Sequence, residues 1–160
     1  MVQNHTSTQM LTLRGSAAHS PFRLKKILDV LMGNAHNVSY IYAEFVHFAF
    51  SDSALTDAQQ STLKQILTYG PQANTKAATG ELFLVTPRIG TISPWASRAT
   101  DIAHNCGLSN IKRIERGIAF YVPSESDEPL SDIDKNALLP LIHDRMTEMV
   151  FGSFDDAQKL

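Results

Sequence analysis

The residues best equipped to meet a ligand crowd into one stretch, Pro87 to Leu108, which reads PRIGTISPWASRATDIAHNCGL. It carries two guanidinium groups (Arg88, Arg98), four hydroxyls (Thr91, Ser93, Ser97, Thr100), a carboxylate (Asp101), an imidazole (His104) and an amide (Asn105). The only tryptophan, Trp95, and the only cysteine, Cys106, fall here too. Ser93 followed by Pro94 predicts a helix that opens with a side-chain cap and a proline in its first turn. Free N–H groups and the dipole at such a helix start favour an anion, with Arg88 just before the turn and Arg98 about one turn inside. A phosphate or carboxylate fits that site. The alternative is that Ser93 and Pro94 only begin the helix, as Ser20 and Pro21 do earlier.

Other chemistries find less support. Cys106 and His104 are two residues apart and do not share a helical face, so Cys106 is expected to be a small buried thiol. No Gly-x-Ser-x-Gly elbow occurs, and no phosphate loop ending in Gly-Lys-Ser/Thr. His36, His47, His104 and His143 are scattered without His-x-x-x-His or Cys-x-x-Cys spacing, so no metal site is expected. Glu44 and Asp101 are the carboxylates most worth following, with surface or capping roles expected for them.

The elements that must carry these residues alternate along the chain. Met10–Leu13 reads as a short strand stopped by Gly15. Ser20-Pro21 opens a helix whose apolar positions (Phe22, Leu24, Ile27, Leu28, Leu31) follow a helical period, with Gly33-Asn34 as a left-handed stop. Val38–Phe50 is rich in aromatic and branched residues and predicts two extended segments with a bend near Ala43 and Glu44. Thr56-Asp57 caps a second helix that stops at Gly70-Pro71. After the small, polar stretch 70–80 the pattern starts again. Leu82–Val85 is a strand, Ser93 opens a helix, Ile111–Val122 is extended with a bend at Gly117, and Ser131-Asp132 caps a last helix running through Leu138, Leu141, Ile142 and Met146.

The recurrence is an internal repeat. A shift of 73 takes Leu11 to Leu84, Ser20-Pro21-Phe22 to Ser93-Pro94-Trp95, Val38 to Ile111, Ile41 to Ile114 and Phe48 to Tyr121. After a two-residue insertion, a shift of 75 takes Leu55-Thr56-Asp57 to Leu130-Ser131-Asp132. The class expected is α+β: two fused strand-helix-strand-strand-helix repeats forming a pseudo-dimer of antiparallel sheets, each with its sheet face under its own helices. The first helix carries Lys25, Ile27, Leu28, Leu31 and Met32 where the second carries Arg98, Thr100, Asp101, His104 and Asn105. Polar residues in place of apolar ones cost stability, so this substitution favours a binding or docking role.

The whole-chain totals agree with a globular domain. Of 160 residues, 43% are hydrophobic and 19% charged, and the net charge is −2 with a pI near 6.3. Nothing in that balance points to nucleic acid or a membrane surface. A single cysteine excludes an internal disulfide framework and fits a reducing compartment. Without signal-peptide features or a run of ~20 apolar residues, a cytoplasmic location is expected.

The segment Thr86–Leu108 resembles the N-terminal region of large, single-chain phosphoribosylformylglycinamidine synthase (formylglycinamide ribonucleotide amidotransferase). The stretches Leu13–Ser16, Ile41–Phe48, Tyr69–Pro71, Ile114–Gly117 and His143–Glu148 resemble it too, in family order over about residues 10–151. The resemblance implies an ATP-dependent enzyme of purine biosynthesis that uses glutamine-derived ammonia to make an amidine from formylglycinamide ribonucleotide. It implies an N-terminal domain built as a fused pair of a small stand-alone subunit, followed in the full-length protein by synthetase and glutaminase domains. Cys106 does not match the glutaminase nucleophile. The organisation expected is a leader over 1–9, repeats over 10–70 and 81–151, a linker over 71–80, and a connector to a synthetase domain beginning at 152–160. On this resemblance the fragment has no catalytic residue or cofactor of its own, ATP and magnesium belonging to the full-length enzyme. Its expected role is to pack on the synthetase domain, support the active site and hold domains in register for ammonia transfer. Arg88, Thr91, Ser93, Trp95, Ser97, Arg98, Thr100, Asp101, His104 and Asn105 are the candidates for that surface, with formylglycinamide ribonucleotide within their reach. The other reading is a stand-alone regulatory domain that binds an anion or ribonucleotide at the Ser93 helix.

Overall fold

A computed structural model describes residues 8–33, 38, 40–70, 78–124 and 129–160. Most of the leader, most of the 71–80 linker and the Asn34 half of the first helix stop lie outside them. The elements run β1 (Gln9–Ala17), α1 (Pro21–Met32), β2 (Tyr42–Ser51), α2 (Asp57–Ile66), β3 (Glu81–Pro87), α3 (Pro94–Asn105), β4 (Ile111–Val122), α4 (Asp132–Ile142) and β5 (Glu148–Phe151), closing on a short 3-10 helix at Asp155–Lys159. The α+β class and the repeat are as the sequence predicts.

All four helices start on the caps read from sequence. Ser20 Oγ accepts from Arg23 N at 3.2 Å and Ser93 Oγ from Ala96 N at 3.0 Å, each with proline in the first turn. Thr56 and Gln59 form a reciprocal capping box, and Ser131 Oγ accepts from Asp134 N at 3.2 Å. The ends are less regular. Gly33 closes α1 in the right-handed region at φ −68°, not the left-handed one expected. The last helix ends at Ile142, with His143 extended, so Met146 lies beyond it and is 83% exposed.

The strands form one antiparallel sheet in the order β1-β2-β4-β3-β5. β2 and β4 pair across the middle, and Phe45 lies directly opposite Ile118, its own counterpart under the shift of 73. A pseudo-twofold axis therefore passes between these two residues. The strand pairing corrects one correspondence: Leu13 opposes His47, and Phe83 opposes Phe120, the counterpart of His47. Phe83 thus matches Leu13, and Leu84 is not the partner of Leu11. β2 runs unbroken through Ala43 and Glu44, the separate extended piece being a single bridge from Val38 to Ser124 before it.

Two glycines read as breaks are close-packing sites instead. β1 continues through Gly15, its register with β2 shifting by one residue between Arg14 and Ala17, and a side chain at Gly15 would meet the His47 ring at 2.5 Å. β4 continues straight through Gly117, opposite Val46. A Cβ there would sit 2.9 Å from the Val85 carbonyl and 3.1 Å from Leu84 Cδ1. Gly117→Ala is expected to lower unfolding free energy by about 1–3 kcal/mol in a urea titration, because backbone on the neighbouring strand must give way.

One sheet face carries the helices, and they pair across the repeats: α1 packs on α4 and α2 on α3. This corrects the expectation that each repeat covers its own sheet. Ile27 and Leu31 of α1 meet Leu138 and Ile142 of α4 over Ala43, Phe83, Val85 and Phe120. Leu63 and Leu67 meet Ala99 and Ala103 over Ala49, Ile111 and Ile114. Each apolar layer needs a helix from both repeats, so neither half can bury its own core alone. On the other face Val46, Phe48, Leu84, Ala119 and Phe151 are covered by Ala157, Phe154 and Leu160 of the C-terminal segment. β5, unforeseen in the sequence, pairs its four residues with Leu84–Pro87 of β3.

Candidate functional site

The two helix pairs leave the middle of the sheet between them, at the pseudo-twofold axis. Inward-facing residues of β2 and β4 there include His47 and Arg116, in contrast to the apolar layers on either side. His47 lies opposite Arg116 and Phe45 opposite Ile118. The Arg116 guanidinium carbon stands 4.4 Å from the centre of the Phe45 ring and 4.7 Å from that of Trp95. Its Nη1 donates to the Tyr69 hydroxyl at 3.2 Å, and that hydroxyl is 2.7 Å from His47 Nε2. Arginine can only donate, so Tyr69 accepts from Arg116, which leaves its own proton free to go to His47 Nε2. The His47 ring also stacks on Trp95 at 5.6 Å between centres. Burial lowers its pKa from 6.5 to about 4, an effect opposed by the nearby Leu13 backbone and reinforced by the Arg116 charge. His47 is therefore neutral at pH 7, which allows Nε2 to accept from Tyr69.

The helix start at Ser93 holds an anion, and it is the protein's own. Ser93 Oγ donates to Glu115 Oε1 at 2.8 Å while accepting from Ala96 N. Glu115 is 1% exposed and is further held by Arg113 Nη2 at 2.7 Å and by the Arg116 backbone N–H at 3.0 Å. Arg113 in turn donates to the Thr91 carbonyl at 2.8 Å and to the Leu160 carbonyl at 3.3 Å. One carboxylate thus ties the α3 start, the 88–93 loop and the C-terminal segment to β4.

The ten candidate residues divide by location. Ser93 and Trp95 enter the central cleft. Arg88 pins its loop to the neighbouring turn through Nη1 to the Arg145 carbonyl at 2.7 Å, and the Thr91 hydroxyl closes that loop on the Arg88 carbonyl at 2.6 Å. Thr100 is half-buried, and His104, though exposed, reaches back to the sheet. β3 reaches only as far as Ile118 on β4, and α3 covers part of the edge left beyond it. Thr100 Oγ1 accepts from Ile114 N at 3.1 Å and His104 Nε2 lies 2.6 Å from the Ile111 carbonyl. These two polar substitutions have a structural reason of their own. Ser97, Arg98, Asp101 and Asn105 remain on the outer stripe of α3, exposed, beside Ile102 at 44% exposure. Cys106 caps the end of α3 and is exposed, which corrects its expected burial.

Sequence reading assigned no role to Phe45, Tyr69, Glu115 or Arg116 and left His47 among scattered histidines. His47 and Arg116 share a signal, a polar or charged residue on a strand position that alternation turns inward, and it needs the strand register to be read. Glu44 is the counterpart on the other face, fully buried, bonded to Arg14 Nε and accepting from the Tyr42 hydroxyl at 3.0 Å. That contact raises the pKa of Arg14 and gives Glu44 an interior structural role in place of the surface or cap expected.

A fused α+β pseudo-dimer with a polar, aromatic cleft on its internal axis defines the class of domain. A family model for the N-terminal domain of formylglycinamide ribonucleotide amidotransferase matches residues 44–160, and the chain belongs to that family. Its role lies with that amidotransferase, a multidomain enzyme of purine biosynthesis. Among the described residues no helix is long and apolar enough to cross a membrane.

Proposed function

We propose that this domain serves as a docking and positioning unit of the amidotransferase. It packs on the synthetase domain, supports that domain's active site and keeps the glutaminase domain in register for ammonia transfer. It performs no catalytic step itself; ATP and magnesium act in the synthetase domain, and formylglycinamide ribonucleotide binds at or near the interface. The supporting observation is the surface formed by the 88–93 loop and the outer stripe of α3. Ile89 (49% exposed), Ile92 (66%) and Ile102 (44%) stand there among Arg88, Arg98 and Asp101. Apolar anchors within a charged rim have the composition of a docking surface. The regulatory alternative is weakened, because a buried carboxylate, Glu115, already stands beside the α3 start on the Ser93 hydroxyl.

The test is made in the full-length enzyme. Ile92→Asp is expected to lower turnover about tenfold or more, since it puts a charge at the centre of the contact, and Arg98→Ala with Asp101→Ala a few-fold. Turnover unchanged in all three would sink the reading. So would ATP or glutamine hydrolysis at enzyme-like rates by the 160-residue chain alone.

A further inference from the structure

Arg116 is the charged group on this face whose charge the fold leaves unanswered. Among the described residues its guanidinium enters no ion pair: five such pairs occur, and none includes it. Its partners are two aromatic faces and one phenol oxygen. A guanidinium has five N–H donors, and among the described residues one hydrogen bond, to Tyr69, is made from them. It is also partly buried, where water serves the remaining donors poorly. Beside it opens a cleft of about 170 Å³ whose walls include Phe45, Trp95, Pro87, Glu115 and Glu148.

The walls limit what the cleft can take. Its volume suits one side chain and is small for a nucleotide. Glu115 is saturated by Ser93, Arg113 and the Arg116 backbone, while Glu148 accepts from Asp144 N at 2.9 Å. Two carboxylates on the rim repel a dianionic phosphate more strongly than a monoanion. Phe45, Trp95 and Pro87 give apolar surface for a short methylene stem ending in a charged head.

We infer that the cleft is a socket for one acidic side chain, a Glu or Asp of the protein surface that docks here, with its carboxylate on the free edge of Arg116. The inference rests on the docking reading above and names the chemistry of one of its contacts. Arginine is suited to this because its planar fork meets a carboxylate through two parallel hydrogen bonds while its faces stay on the rings. Trp95 and Tyr69, which hold Arg116 in place, also wall the neighbouring apolar groove that contains Arg98 and Ile102. The socket is thus continuous with the exposed stripe of α3.

Trp95 is the chain's single tryptophan and touches Arg116, so its fluorescence reports directly on the socket. The 160-residue chain is titrated with sodium propionate, which reproduces a Glu side chain, then with formate and with inorganic phosphate, at constant ionic strength. A saturable change with propionate is expected, tighter than formate by a few-fold from the buried stem, with phosphate weaker than either. Arg116→Gln is expected to weaken propionate about tenfold or more. Glu148→Gln, which keeps the cleft and removes a repelling charge, is expected to tighten it a few-fold. No saturable propionate response, equal affinity in Arg116→Gln, or phosphate binding better than propionate would each overturn the inference. Should Arg116→Gln fail to fold, the Glu148→Gln result and the phosphate comparison still decide. The docking reading fails separately, by unchanged turnover in the Ile92 and α3 variants of the full-length enzyme.

Discussion

Glu115→Ala is expected to destabilise the domain by about 3–5 kcal/mol, among the largest effects of any single substitution outside the apolar layers. The carboxylate is 1% exposed and receives three charge-assisted hydrogen bonds, from Ser93, Arg113 and the Arg116 backbone. Its removal leaves the Arg113 guanidinium, only 19% exposed on its side chain, without its carboxylate. An uncompensated charge at that depth costs far more than the pair contributed when intact. Glu115→Gln keeps the shape and part of the bonding and is expected to cost about 1–3 kcal/mol. Ser93→Ala removes the α3 cap and is expected to cost about 1 kcal/mol alone. Because Ser93 and Glu115 bond each other, Ser93→Ala is expected to cost measurably less in the Glu115→Ala background than in the wild-type chain. Urea midpoints for the four proteins provide the cycle. A Glu115→Ala loss below about 1 kcal/mol would mean that the carboxylate does not join these segments.

What was legible in the sequence was local. A Ser or Thr just before a helix satisfies a backbone donor whatever the rest of the chain does, and all four caps stand where they were read. The repeat was legible because equal spacing of caps and apolar runs survives without coordinates. The parts that were not legible depend on the other half of the chain. Helix pairing across the repeats follows from β2 joining β4, which no periodicity within one repeat announces. β5 is four residues long and exists as a strand because β3 offers it an edge. Gly15 and Gly117 were read as breaks because glycine is ambiguous. It marks either a turn or a place where no Cβ fits, and only the neighbouring His47 ring and Val85 carbonyl distinguish these.

The candidate site divides in the same way. Polar residues on α3 were visible by comparing the helices, but not that Thr100 and His104 bond the backbone of a β4 edge that β3 does not cover. Arg116 and His47 looked like ordinary strand residues. Their inward direction follows from strand register, and their meeting with Tyr69 and Trp95 from elements 47 and 21 residues away from Arg116 in sequence.

Lowering the pH is expected to weaken the fold through His47 before most carboxylates are protonated. His47 is fully buried, and its pKa falls from 6.5 to about 4 in the folded chain, mainly because burial penalises the imidazolium. The unfolded chain then binds the proton more readily, so stability rises with pH across that interval. The contribution is whole above pH 6.5 and is lost progressively as pH falls to about 4, where it amounts to about 3 kcal/mol. Protonation also reverses the polar chain, since an imidazolium cannot accept from Tyr69 and would sit beside Arg116 as a like charge. His19, whose pKa burial also lowers, adds to the trend in the same direction, as carboxylates do at lower pH. The comparison that isolates His47 is therefore with His47→Gln, which keeps a polar group but does not titrate. Wild type is expected to exceed that variant in stability at pH 7.5, and the gap is expected to shrink by about 3 kcal/mol by pH 4. Urea titrations of both proteins at the two pH values measure it. A gap that stays constant would mean that folding does not shift the His47 pKa, so that burial does not penalise its imidazolium.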